Sequence, residues 1–95
     1  MKVQLEFLGL PTISKLIGKK TVLEMNDGTV ADMIALIVKQ HGPKVRKILL
    51  GEKDELDMTI QVMVNDEGFI QREEYSRRQL KEGDQVKIML LVGGG

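Results

Sequence analysis

The sequence predicts an α+β fold, a mixed sheet packed on one main helix. Three observations lead there. Both ends of the chain alternate apolar and polar residues, as half-buried strands do. A single long stretch between them carries apolar residues at helical spacing. Turn residues separate these segments, and no repeat or second composition regime interrupts them.

The elements follow in order. Lys2 to Phe7 puts Val3, Leu5 and Phe7 on one face and Lys2, Gln4 and Glu6 on the other. Gly9-Leu10-Pro11 ends that strand. Ile13, Leu16 and Ile17 then belong either to one helical turn or to a loop plug. Thr21 to Met25 reads as a second strand antiparallel to the first. Its inward face is ambiguous because Val22 and Leu23 are adjacent and both apolar. Asn26-Asp27-Gly28 is a turn. Thr29 fits a helix N-cap, with Asp32 completing an acidic capping box. Val30, Met33, Ile34, Ile37 and Val38 form one apolar stripe, and Gly42-Pro43 stops the helix. His41 falls in its last turn, where positive charge suits the helix dipole. Pro43 to Leu50 reads as a second, short helix with Val45, Ile48 and Leu49 inward, and residues 51–57 as a surface loop.

Ile60, Val62 and Val64 alternate with Gln61 and Met63 in a third strand. The chain reverses at Asn65 to Gly68, and Phe69-Ile70 starts a short return segment. Glu73 to Gln79 is polar and irregular. The last strand, Gln85 to Val92, places Val86, Ile88, Leu90 and Val92 on one face. The first and last strands, both strongly alternating, are expected to pair in the centre, which is a β-grasp arrangement. Residues 1–92 form the domain, and Gly93, Gly94 and Gly95 a flexible tail.

Composition excludes several functions. Basic and acidic residues balance at fourteen each, so no global positive field invites nucleic acid or an anionic membrane. There is no cysteine, hence no disulfide, thiolate metal site or side-chain persulfide. The one histidine builds no metal site alone. No nucleophile–base pair is visible, so the chain is not expected to be an enzyme. Without a signal sequence or a spanning stretch, the expected location is cytoplasmic.

Two features remain. Met89 and Leu91 should point outward from the last strand, and Met63 shares their face. Scattered surface hydrophobes are common, but these lead straight into the tail and read as a partner-docking patch. The tail itself has no side chains, and its one distinctive group is the α-carboxylate of Gly95. A carboxylate becomes electrophilic only once activated, for instance as an acyl-adenylate. Delivering a backbone terminus into an activating site demands a narrow, unhindered arm, which glycines supply.

With those residues in view, the chain resembles the ubiquitin-like sulfur carriers: the small subunit of molybdopterin synthase and the thiamine-biosynthesis sulfur carrier. The resemblance spans nearly the whole length. It runs through Val3 to Leu8, Gly28-Thr29-Val30, Val45 to Leu50, Ile60 to Asn65, Leu80-Lys81-Glu82-Gly83-Asp84-Gln85-Val86 and Gly94-Gly95. It implies that an adenylating, ubiquitin-activating-like enzyme charges Gly95, with that partner using ATP and magnesium and this chain binding no cofactor. A persulfide sulfur donor then makes a thiocarboxylate for molybdopterin, thiamine or related biosynthesis, with a synthase large subunit as a further partner. The chain departs from the molybdopterin-synthase pattern at Leu90-Leu91, where that subunit commonly has two prolines, and in its three-glycine end. Two other functions begin from the same residues: a protein modifier joined through Gly95 to lysines, and a non-catalytic binding module.

Overall fold

The computed structural model describes residues 1–52 and 54–91. Four strands and three helices appear: β1 (Lys2–Leu8), α1 (Pro11–Ile17), β2 (Lys20–Glu24), α2 (Val30–His41), α3 (Pro43–Leu50), β3 (Ile60–Val64) and β4 (Gln85–Leu90). A 3-10 turn spans Arg72–Glu74. The sheet order is β2-β1-β4-β3. The two central strands run parallel, with Leu5 beside Val86 and Phe7 beside Ile88; the outer pairings are antiparallel. The expected central pairing of first and last strands therefore holds, and so does the mixed sheet.

The inner face of the sheet buries Val3, Leu5, Phe7, Val62, Val64, Val86 and Ile88. Against it lies the α2 stripe of Val30, Met33, Ile34 and Ile37, and α3 adds Val45, Leu49 and Leu50. On β2 the ambiguity resolves toward Leu23, which is buried while Val22 is exposed. The register decides it: Leu23 pairs with buried Val3, and Val22 with exposed Gln4. The segment after β1 is helical, opened by Pro11 in its first turn, and only its Ile13 is buried.

The capping box at Thr29 forms as expected. Thr29 Oγ1 accepts from the Asp32 N–H, and the Asp32 carboxylate accepts from the Thr29 N–H at 2.9 Å. The next two donors of α2 go elsewhere. Val30 N–H reaches the Arg78 carbonyl at 3.1 Å and Ala31 N–H the Tyr75 carbonyl at 2.9 Å. The segment expected to be merely irregular thus closes the N-terminus of α2. Its neighbour Arg72 ties down the loop before β3, donating to the carbonyls of Leu56, Asp57 and Ile60.

The last strand stops short of the expected Val92. Its ladder ends at Leu90, and one further bond runs from Leu91 N–H to the Thr59 carbonyl. By then both neighbours are exhausted, because β1 ends at Leu8 beside Met89 and β3 begins at Ile60 beside Leu90. Val92 and the glycine tail lie outside the described residues.

Candidate functional site

The end of β4 is set at the centre of the sheet, so β1 and β3 hold it on both sides. Where β1 leaves the sheet it turns sharply at Gly9, whose φ is +70°. A Cβ there would sit 3.4 Å from both Cβ and the carbonyl oxygen of Leu90, so glycine lets β1 turn away tightly against the last rung of β4.

The other end of β4 is fixed by the Leu80 to Gln85 turn. Gly83 has φ +82°, and its N–H donates to the Lys2 carbonyl at 2.7 Å. The Glu82 carboxylate accepts from Lys2 N–H. The buried Asp84 carboxylate accepts from Lys81 N–H and from Asn65 Nδ2, both at 2.8 Å. Asn65 Oδ1 in turn accepts from Gln85 N–H at 2.7 Å. One turn thereby joins the start of β1, the end of β3 and the start of β4, and it sets the register that carries β4 to Leu90.

The outer face of the sheet follows from that register. One row reads Lys20, Glu6, Lys87, Met63, with Phe69 bridged to Met63; the next reads Leu8, Met89, Gln61. Met63 and Met89 are half-buried, diagonal neighbours on this face. Leu91 follows them and is 41% exposed. Two more apolar residues join these three. Leu8 stands directly beside Met89, and Phe69 is 47% exposed. Leu8 was legible as a break in the alternation of β1, next to Phe7. Phe69 was not, because its exposure depends on how the Asn65–Gly68 reversal returns. Charge frames the patch: Lys87 lies 3.7 Å from Asp66, and Arg78 makes a two-pronged pair with Glu67. The Arg78 hydrogen bond holds the Glu67 carboxyl below its ordinary range.

The remaining surface offers little chemistry. A concavity of about 730 Å³ lies between α2, α3 and the loops flanking them, lined by Ile34, Val38, Leu50, Leu56 and Tyr75 among others. Among the described residues, none from the sheet lines it. Among the described residues no group of three or more histidine, cysteine or carboxylate side chains is placed to hold a metal ion. His41 is exposed at the end of α2. No described helix is long and apolar enough to cross a membrane.

Comparison with known proteins bears on this arrangement. No curated protein matches the sequence. The fold is similar to that of SAMP1 from Haloferax volcanii, with a TM-score of 0.75, 19% identity and full coverage of both chains. A putative molybdopterin converting factor, subunit 1, from Pyrococcus furiosus is 26% identical at a TM-score of 0.70, over 97% of this chain and 99% of that one. A chain of the BexX/CysO complex from Amycolatopsis orientalis is 24% identical at a TM-score of 0.67, over 98% of this chain and 99% of that one. These are β-grasp, ubiquitin-like folds. The sequence model of the ThiS family matches residues 11–95, from α1 through the glycine end. The chain belongs to the ThiS family, among the ubiquitin-like sulfur carriers.

Proposed function

We propose that this protein carries sulfur on the α-carboxylate of Gly95. The observation that carries the reading is the family match running through residue 95, on a chain whose last described residue leaves a strand anchored at the sheet centre. A partner enzyme, using ATP and magnesium, converts the carboxylate to an acyl-adenylate with release of pyrophosphate. The terminal sulfur of a donor persulfide attacks the acyl carbon and displaces AMP. A thiol then cleaves the resulting acyl disulfide, leaving the thiocarboxylate on Gly95 and a disulfide on the donor side. The thiocarboxylate passes its sulfur to a biosynthetic acceptor, in molybdopterin, thiamine or related synthesis. The likeness to a molybdopterin converting factor supports a synthase large subunit as one recipient.

In this reading Gly93 and Gly94 are the arm, and Met63, Met89 and Leu91 dock the activating enzyme, together with Leu8 and Phe69. Methionine suits such a surface because it adapts its shape. The protein is a carrier and not itself the catalyst. The test is mass spectrometry of the protein from its native cell. A fraction heavier by the exchange of one oxygen for sulfur is expected, and it should vanish on deletion of Gly95. Met89→Asp and Leu91→Asp should lower adenylation by the partner while leaving thermal stability unchanged. If sulfur-dependent growth survives deletion of Gly95, the proposal fails.

The fold likeness to a protein named as an archaeal modifier favours one second reading, in which the activated Gly95 forms isopeptide bonds with lysines. A ladder of higher-mass conjugates on a denaturing immunoblot marks it, and a carrier alone leaves none.

A further inference from the structure

We propose that the open edge of β2 pairs with the same edge of a second copy, joining two sheets into one of eight strands. The backbone places the required groups there. Met1 and Met25 exchange N–H to carbonyl bonds at 2.6 and 2.9 Å, and Phe7 N–H reaches the Lys19 carbonyl at 2.9 Å. Antiparallel ladders alternate, so Lys19, Thr21, Leu23 and Met25 direct their backbone groups at β1. Lys20, Val22 and Glu24 direct theirs away from it, at the edge of the sheet. Among the described residues none of these groups is bonded outside the ladder. The strand carries no proline and no bulge that would block pairing.

The side chains select a second copy as occupant. Centred on Val22, an antiparallel partner places Lys20 opposite Glu24 of the second copy, and Glu24 opposite its Lys20. Within one copy Glu6 already neighbours Lys20, and Lys2 neighbours Glu24. Across the junction the outer face then reads Lys87, Glu6, Lys20, Glu24, Lys2, with the last two from the second copy. The charges alternate without a break. Shifting the register by two residues sets Lys20 or Glu24 against Val22 and removes both Lys20–Glu24 pairs. Exposed lysine on an edge normally discourages pairing; here one register turns it into an attraction. Val22 and Leu16, each 50% exposed, border one shallow cleft at this edge and supply apolar surface to cover. The two β4 strands run in opposite directions in such a dimer, so their Leu90 ends lie at opposite ends of the joined sheet. The outer-face patch at β4 and β3 stays uncovered.

Sedimentation equilibrium of the full chain across a concentration series tests the pairing. The parent protein is expected to form a weak dimer. Lys20→Glu and Glu24→Lys should each weaken it about tenfold or more, since each sets like charges face to face twice. Mixing these two variants should restore association, and so should the double variant. The double variant also keeps the like-charge neighbours created beside Glu6 and Lys2, so its recovery assigns the effect to the junction. Amide exchange of Lys20, Val22 and Glu24 should slow with concentration while that of Thr21 and Leu23 does not. A parent that stays monomeric at millimolar concentration overturns the proposal. Single variants that associate as well as the parent, or a mixture that fails to recover, overturn it equally.

Discussion

Asp84 is a buried polar residue at which three segments of the chain meet. Its carboxylate is buried and accepts from Lys81 N–H and the Asn65 amide, while its own carbonyl accepts from Gln4 N–H at 2.8 Å. Replacing it with alanine strands two donors in a partly buried turn. Asp84→Ala should cost about 2–3 kcal/mol, read as a fall in the urea midpoint with an unchanged slope. Two carboxylates nearer the surface act in a different way. The Arg78 hydrogen bond holds Glu67 below its ordinary value of 4.5, and the Thr59 hydroxyl and N–H hold Asp57 below 3.8. A carboxyl with a lowered folded-state pKa contributes stability above its unfolded value, and loses it as pH falls through the folded one. Thermal midpoints should therefore drop as pH falls below 4.5. Glu67→Gln should lower the midpoint at neutral pH and flatten part of that acid decline.

At the scale of elements, the helix α2 was the most legible. Thr29, Asp32, the apolar stripe and Gly42 are all local signals, and the structure uses each of them. Thr29→Ala should cost about 1 kcal/mol, lowering the melting midpoint by roughly 4–8 °C for a domain of this size. The strands were equally plain wherever alternation was clean. What the sequence did not reveal was long-range backbone bonding. The stretch from Arg72 to Leu80 has neither helical nor strand period. Its role lies in carbonyls at Tyr75 and Arg78 that meet the first donors of α2, more than forty positions earlier in the chain. Side-chain pattern carries no trace of a carbonyl's partner. Likewise the outward residues Met63 and Met89 could be placed on one face from parity alone. The addition of Phe69 required knowing that the reversal after β3 folds back to bridge Met63.

For the whole molecule, the parallel pairing of β1 with β4 decides what a force would meet. The first strand starts beside the Gly83–Asp84 turn and the last one finishes beside Gly9, so the two ends of the fold lie at opposite extremes of one ribbon. Tension applied between Lys2 and Leu91 loads every rung between these strands in shear at the same moment. Tension between Gly9 and Leu91, which sit at the same extreme, opens the rungs one after another. In single-molecule pulling, the first geometry should rupture at clearly higher force than the second. A machine that tugs on the C-terminal side of β4 while β1 is held would work against all of these rungs at once.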